Sequence, residues 1–565
     1  MTVYLDFKNA RCKDCYKCLR ACPVKAIKFE NHQAKIIEEQ CILCGKCTSV
    51  CPQDAKTVHA ETDSVKALLN GNVPVIASVA PSFISSFGTD NFAVFRIALG
   101  KLGFAEAEET AVGAAAVTAE YGKLLESGKY KNFITSACPA VNRLIQLFYP
   151  QALPYLAPVD SPMIAHAKIL KKKYPNAKLV FIGPCIAKKR EAHESGLLDA
   201  VLTFEELKAL FESSDVKLDE IAVLPGTEGG VKNIAKYYPI SRGIIKSFPA
   251  CPEGYEYVAV DGVERVMDVL DNIELLDKTF LELNCCDFAC VNGPCSLLEG
   301  GAVKAGAKIR RYVAEGKGDF VMPSVEGTDL RCEFPRIRKR RIIPTEREIN
   351  EVLARTGKNN PEKLYNCGAC GYSTCREKAI AVINGYAELD MCLPYMREKA
   401  ESMSFEIIQN SPNGIVVLDS DYRIAEINNR AKTLLGIDNT DAKGISAFDA
   451  FDSAELISAL VENKNLSKKK VFINKTKKYI ELNLVVLSEH KTVFAVMKDI
   501  TDNVEYSEKL NKVKLDTLAT TDEVIKKQMR VAQEIASLLG ETTAETKVAL
   551  LQLKKTLQSG ETTEE

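Results

Sequence analysis

A chain of 565 residues is too long for one core and implies several domains of about 100–200 residues each. Its 74 basic and 75 acidic side chains nearly cancel, which excludes a net field drawing the whole molecule toward nucleic acid or a membrane surface. The 20 cysteines are bunched in C-x-x-C steps and no long apolar leader opens the sequence. Metal ligation in a reducing cytoplasm, in an anaerobe or a well-reduced cell, is therefore expected in place of disulfides. The most apolar stretches, such as PVIASVAPSFISSF, fall short of the roughly 20 residues that span a bilayer.

The first element, residues 1–60, is a duplicated module. Cys12-x-x-Cys15-x-x-Cys18-x-x-x-Cys22-Pro23 recurs as Cys41-x-x-Cys44-x-x-Cys47-x-x-x-Cys51-Pro52, with a short hairpin between the runs that turns near Asn31-His32. This is the bacterial-ferredoxin spacing, in which three cysteines of one run and the fourth of the other hold each [4Fe–4S] cluster. One cluster takes Cys12, Cys15, Cys18 and Cys51, the other Cys41, Cys44, Cys47 and Cys22. Structural zinc lacks this arrangement, because its ligands fall into two separated pairs.

Residues 61–343 alternate apolar runs (PVIASVA, NFITSACPAV, KLVFIGPC, DAVLTF) with helical stretches such as FRIALGKLGF and SPMIAHAKILKKKY. The pattern predicts an α/β domain whose buried strands carry cysteine loops at their carboxyl ends. A linker follows, and Thr345 with Glu348 predicts a capping box at the start of a polar helix. Residues 344–400 contain a compact cysteine unit, Cys367-x-x-Cys370-Gly371-Tyr372-x-x-Cys375 and then Cys392-Leu-Pro. Beyond Cys392 the cysteines stop. Residues 401–504 show helix, strand, Asp-rich turn, strand, helix and three alternating strands, and residues 505–565 read as helices with Ile525, Met529, Ala532, Ile535 and Leu539 on one face.

Three loops of the α/β domain carry a specific family resemblance. TSACP, GPCIAKKREA and ELNCCDFACVNG, together with Ala80-Pro81-Ser82 and Ser161-Pro162, resemble the signature loops of [FeFe]-hydrogenases, and the likeness extends over residues 1 to roughly 340. It implies that Cys138, Cys185 and Cys286 hold a [4Fe–4S] cubane that Cys290 links to a diiron subsite bearing CO and CN ligands. It also implies that Lys188 hydrogen-bonds a cyanide, that Ala80, Pro81 and Ser82 contact another diatomic ligand, and that the site activates hydrogen and protons. Cys251, Cys285, Cys295 and Cys332 match no ligand of the family and read as core thiols.

The departures from that pattern are grouped. Where fast members of the family carry a proton-passing cysteine before the first ligand, this chain has Ala137; two further relay positions are Val117 and Ala157, and Glu120 alone is kept. Val141, Gly183 and Asn284 replace a tryptophan and two methionines of the site wall. Losing one positioned proton donor costs about 10²–10⁴-fold in rate, so low turnover is expected.

The small cysteine unit resembles a four-cysteine [4Fe–4S] domain of redox and corrinoid-linked proteins, with a zinc knuckle as the alternative. SPNGIVVLDSDYRIAEINNRAKTLLG resembles a PAS sensor, whose pocket is either empty or holds a small organic ligand; His490, in a loop, reads as solvated. The terminal helices form either a signalling coiled coil or a cap on the PAS sheet, and with PAS they offer surfaces for a homo-oligomer. The basic residues Arg336, Arg338, Lys339, Arg340 and Arg341 lack groove-reading partners and argue for no nucleic acid. The expected fold is multidomain α+β and α/β: a ferredoxin-like double-cluster domain, an α/β hydrogenase domain, a small Fe–S domain, a PAS α+β sheet and C-terminal helices. The resemblance implies a sensory, low-turnover hydrogenase reporting through PAS to a kinase or phosphatase. Its alternatives are a slow hydrogenase exchanging electrons with ferredoxin or another redox protein, and an Fe–S protein lacking the diiron subsite.

Overall fold

The computed structural model of the chain describes residues 4–7, 11–30, 33–89, 91–223, 232–316, 327–338, 342–437, 442–450, 465–487, 492–539 and 543–558. The hairpin turn at Asn31-His32, the basic residues Lys339, Arg340 and Arg341, and His490 lie outside the described residues. The chain divides into two compact units, Met1–Met396 and Arg397–Glu565. No helix among the described residues is long and apolar enough to cross a membrane.

The first unit opens with strands β1 (Leu5–Phe7), β2 (Ile27–Glu30), β3 (Gln33–Ile36) and β4 (Lys56–Val58), paired antiparallel as β1 with β4 and β2 with β3. Two short helices, Lys17–Ala21 and Lys46–Ser49, carry the third cysteine of each run, Cys18 and Cys47, toward the interior. The sequence repeat is thus a structural repeat.

Seven further strands follow: β5 (Val75–Val79), β6 (Glu106–Glu109), β7 (Phe133–Ile134), β8 (Lys178–Gly183), β9 (Ala200–Thr203), β10 (Glu256–Asp261) and β11 (Thr279–Asn284). They form two all-parallel sheets, ordered β6-β5-β8-β9 and β10-β11-β7. β5 and β11 are buried along their whole length and β8 over all but its first residue, as parallel strands covered on both faces must be. β6 is less legible, since its sequence is EAEE. It is held because Glu109 points inward and pairs with the buried ammonium of Lys236 at 3.1 Å while accepting the Tyr312 hydroxyl.

One hydrophobic core runs through three of the expected domains. Leu19, Ile27 and Ile42 of the double-cluster module pack in the same cluster as Leu144, Leu281 and Val266 of the α/β region and Tyr372, Ala381 and Met391 of the small cysteine unit. Two glycines allow the close approaches. Gly45, at φ +75°, leaves room that a Cβ would fill within 2.3 Å of Pro294, and Gly371, at φ +90°, lies where a Cβ would come within 2.8 Å of Leu19. Thr345 with Glu348 and Thr374 with Glu377 form reciprocal capping boxes on helices Glu346–Arg355 and Cys375–Ile383.

The second unit is built on an antiparallel sheet of β12 (Gly414–Leu418), β13 (Ile424–Ile427), β14 (Leu466–Ile473), β15 (Lys478–Leu487) and β16 (Thr492–Asp499), ordered β13-β12-β16-β15-β14. Alternating burial along β12, β15 and β16 gives one core face, where Val416, Leu418, Ile480, Leu482, Ala495 and Met497 meet. Asn428 caps helix Asn429–Leu435. Helices Thr501–Leu539 and Thr543–Gln558 end the unit, joined by the Lys554–Asp522 ion pair at 2.8 Å.

Candidate functional site

The four loops that resemble signature segments each follow the carboxyl end of a parallel strand. β5 leads into Ala80-Pro81-Ser82, β7 to Cys138, β8 to Cys185 and β11 to Cys286. Because β5 and β8 belong to one sheet and β7 and β11 to the other, the two sheets deliver their loops to a shared crevice. Helix Pro139–Phe148 starts directly after Cys138 with proline in its first turn, which fixes the loop exit.

Two adjoining cavities occupy the crevice. The inner one, with an empty volume of ≈ 480 Å³, is lined by Cys138, Cys185, Cys286 and Cys290 together with Cys44 and Cys285. The outer one, ≈ 690 Å³, is lined by Ala80, Pro81, Ser82, Ala137, Lys188 and Thr110, and shares Cys138, Cys185 and Cys290 with the inner. Among the described residues no three Cys, His, Asp or Glu side chains converge on a single-ion site; the thiols surround a space instead.

Burial disfavours free thiolates throughout the crevice. Burial pushes Cys185 up to about 11, with the neighbouring Cys138 adding to it, and it pushes Cys286 well above the ordinary thiol range, with Cys185 and Cys290 adding to it. Burial also raises Cys138 and Cys290, although Lys188 pulls both the other way. One ammonium cannot hold four thiolates together, whereas an iron–sulfur core does.

Helix Ala187–Ser195 distributes its charges in three directions. Lys188 Nζ donates to Glu191 Oε2 at 2.7 Å, Ser161 Oγ at 2.9 Å and the Ala137 carbonyl at 3.4 Å, holding an ammonium at the outer cavity. Lys189, fully buried, turns away to Glu206 Oε2 at 3.0 Å and the Val201 carbonyl at 2.8 Å. Arg190 Nη1 reaches the Cys41 carbonyl at 2.7 Å and pins the double-cluster module to the crevice. Across the outer cavity Ser82 Oγ is fully buried and has no hydrogen-bond partner. An orphan hydroxyl and a cation facing one space fit a small anionic ligand set such as the diiron group would bring.

At Ala137, Val117 and Ala157 the flank carries no exchangeable proton, although hydroxyls stand nearby, where Thr118 bonds Tyr238 at 2.9 Å and Ser247 at 2.8 Å. Val117 and Ala157 are both fully buried in one cluster with Tyr121, Phe133 and Phe280, and Ala137 packs against it. Glu120 sits at the outer end, bound to Lys123 at 2.6 Å. Gly183 leaves space taken by the Phe181 ring, whose nearest carbon would lie 2.7 Å from a Cβ at that position. Asn284 Nδ2 donates to Asp261 Oδ1 at 3.0 Å at the cavity rim.

The other cysteines are also brought together. Cys22 lies beside Cys41 and Cys44, and Cys47 beside the same three, so the fourth cysteine of the first run faces the second run. Cys367, Cys370, Cys375 and Cys392 line a separate cavity of ≈ 480 Å³ with Lys358 and Lys378, and Lys358 Nζ donates to Cys392 Sγ at 3.1 Å. Sequence reasoning missed the links between these groups. Cys285, read as an inert core thiol, lines the inner cavity together with Cys44 of the second run and Cys138 of the crevice, and its nearness lowers Cys44. The Tyr372 hydroxyl, raised by burial, is close enough to both Cys370 and Cys22 to be raised further by each. Arg20 Nη1 donates to the Ala369 carbonyl at 3.2 Å and fastens the same junction.

Four family models match this chain: "4Fe-4S dicluster domain" over residues 11–55, "Iron only hydrogenase large subunit, C-terminal domain" over 73–251, "Putative Fe-S cluster" over 365–394 and "PAS domain" over 412–502. The chain thus carries a region similar to the iron-only hydrogenase large subunit and, after it, a region similar to a PAS domain. The hydrogenase match contains Cys138, Cys185 and Lys188 and ends before Cys286 and Cys290, which the geometry of β11 joins to them. The periplasmic [Fe] hydrogenase large subunit of Nitratidesulfovibrio vulgaris is 27% identical over 380 residues, 57% of this chain and 87% of the relative. Iron hydrogenase 1 of Clostridium pasteurianum is 26% identical over 368 residues, 51% of this chain and 64% of the relative, so less than two thirds of that protein is spanned. A solved [FeFe]-hydrogenase of Chlamydomonas reinhardtii aligns at 17% identity with a TM-score of 0.38, over 48% of this chain and 92% of that one. The matches to iron–sulfur and hydrogenase families fall in the first unit, and the PAS match falls in the second.

Proposed function

We propose that this protein is a sensory [FeFe]-hydrogenase of low turnover. The observation that carries the reading is the contrast within one crevice: four thiols, Lys188 and the orphan Ser82 hydroxyl surround the paired cavities, while Ala137, Val117 and Ala157 close one flank as an apolar cluster. Cys138, Cys185 and Cys286 would hold a cubane and Cys290 would join it to a diiron group, with Ala80, Pro81, Ser82 and Lys188 around the latter. When bound, that group supplies the heterolysis of hydrogen and hands electrons to the adjoining cubane. The chain's own residues position it, exclude water and set how fast protons come and go. A cradle without a fast proton route binds and splits hydrogen occasionally, which suits reporting its presence.

The contacts support an ordered electron path. Cys285 lines the inner cavity together with Cys138 and Cys44; Cys44 and Cys22 would be ligands of the same N-terminal cluster; and Tyr372 adjoins Cys22 and Cys370 of the small four-cysteine unit. Cys392, the last of those cysteines, is followed at once by helix Leu393–Gln409, which leads the chain toward the PAS domain. The cluster of Cys12, Cys15, Cys18 and Cys51 is then a side branch for ferredoxin or another redox protein. The PAS domain acts as the bistable element, and its output is altered binding of a kinase or phosphatase. Iron counting on the matured protein tests the assignment: four cubanes account for about 16 iron atoms and a seated diiron group for about two more. A count that stays at about 16 after exposure to the diiron cofactor would reduce the protein to a hydrogenase-like iron–sulfur carrier.

A further inference from the structure

The apolar flank removes one way for protons to reach the outer cavity, yet a second line of polar groups arrives from the opposite sheet. Thr110 lines the outer cavity. Its Oγ1 lies 2.8 Å from Ser78 Oγ, and Ser78 Oγ lies 2.7 Å from His166 Nδ1. The other ring nitrogen, Nε2, faces Glu108 Oε2 at 3.8 Å. Glu108 reaches the surface, where it binds the exposed Lys173 ammonium at 2.7 Å and accepts the Tyr174 hydroxyl at 3.4 Å. Four elements converge to make this line: Ser78 stands on β5, Glu108 on β6, Thr110 at the start of helix Ala111–Glu126 and His166 on helix Pro162–Lys173.

Ser78 and His166 are fully buried, and their surroundings are specific. At Gly113 a Cβ would lie 2.6 Å from the His166 backbone nitrogen and 2.3 Å from the Pro162 carbonyl oxygen, so the two helices touch where the histidine is inserted. A histidine kept only for packing would have both nitrogens satisfied or would be replaced by an apolar side chain without loss. Here Nδ1 is bonded and Nε2 has no hydrogen-bond partner, while a carboxylate stands just beyond bonding distance. Burial pushes Glu108 up, but its contacts with the facing His166 and the Lys173 ammonium outweigh that and hold it at about 2, as a carboxylate set against the imidazole.

We propose that Glu108, His166, Ser78 and Thr110 form a proton relay between solvent and the outer cavity, replacing the route lost at Ala137, Val117 and Ala157. The inference rests on the hydrogen-activating reading of the site. A proton taken from solvent at the Glu108 carboxylate passes to His166 Nε2. The Nδ1 proton moves to Ser78 Oγ as the Ser78 hydroxyl proton moves to Thr110 Oγ1, and the Thr110 proton is delivered to a base in the cavity. One proton enters and one leaves, each hydroxyl keeps one hydrogen, and the line resets when the hydroxyls rotate and the imidazole reorients to turn a protonated nitrogen toward Ser78 again. The reverse sequence carries protons out. A rotation of the Glu108 carboxylate closes the 3.8 Å step, and each cycle of that gap and of the tautomer slows transfer, in keeping with low turnover.

The test uses the full chain loaded with the diiron cofactor and follows the infrared bands of bound CO and CN. The bands are recorded under hydrogen, and then the rate at which they re-equilibrate after a pH jump is compared between unaltered protein, Thr110→Val and Ser78→Ala. Thr110→Val preserves shape and removes only the hydroxyl, and Thr110→Ser restores it. The relay predicts unchanged band positions, a re-equilibration about 10²-fold slower in Thr110→Val and Ser78→Ala, and recovery of most of the rate in Thr110→Ser. Should Ser78→Ala fail to load, the Thr110 pair carries the test alone. Unaltered rates in Thr110→Val overturn the relay while leaving hydrogen sensing in place. Absence of hydrogen-responsive bands in the unaltered protein overturns the sensing reading itself.

Discussion

The two flanks of the outer cavity are both buried and differ at the side chains nearest the cavity. Beside Ala137 the interior is an apolar cluster in which Val117 and Ala157 meet Phe133 and Phe280; beside Thr110 it is a line of hydroxyls ending at His166. Between them stands a crevice lined by Cys138, Cys185, Cys290 and Lys188. Burial by itself therefore says nothing about whether an interior conducts protons: what matters is whether each buried polar atom has a neighbour to pass to. The cradle fixes what can be bound, and the flanks fix how quickly it responds.

The comparison breaks most completely if the cradle is not a cluster site. Cys286→Ala removes the one cradle ligand that follows directly on β11, and the account expects the iron content to fall by about four, or by about six once the diiron group is seated, with the N-terminal clusters retained. An unchanged iron count by colorimetric assay would remove the basis of the assignment. The next largest effect concerns the apolar flank. Ala137→Cys returns a single exchangeable proton, but Val117 and Ala157 remain behind it, so turnover should rise by less than about tenfold, well under the 10²–10⁴ of a complete donor. A gain of a hundredfold in hydrogen evolution would mean that protons already reach that thiol and that the flank is not the barrier. The smallest effect is on the cradle's link to the N-terminal module. Cys285→Ala removes the thiol beside Cys44 and should shift the midpoint potential of the cluster of Cys22, Cys41, Cys44 and Cys47 downward by tens of millivolts, with Cys285→Ser keeping most of the original value. A redox titration followed by electron paramagnetic resonance reads the shift; equal potentials in all three proteins would make Cys285 a packing residue after all.

Much of the cradle was readable in the sequence because its chemistry is local. A cluster ligand sits in a loop of a few residues, and the spacing of Cys12 to Cys22, Cys41 to Cys51 and Cys367 to Cys375 survives whatever the rest of the chain does. The capping box at Thr345, or the alternation along β15 and β16, is local in the same sense. What could not be read was set by partners distant in sequence. β6 is a strand because Glu109 finds Lys236 and Tyr312, and nothing in EAEE announces that. The split into two parallel sheets depends on which strands pair, with β7 contributing only two residues. His166 lies in a helix whose pattern reads as ordinary core, and its role appears only when β5 places Ser78 against it. Cys285 looked inert because it stands next to a ligand without matching one, and its partner Cys44 is supplied by another module.

The most direct measurement is infrared spectroscopy of the full chain after maturation with the diiron cofactor, recorded under argon and then under hydrogen. The account predicts bands of bound CO and CN that shift when hydrogen is admitted and return slowly when it is removed. A matured protein with no such bands, or with bands indifferent to hydrogen, would contradict it.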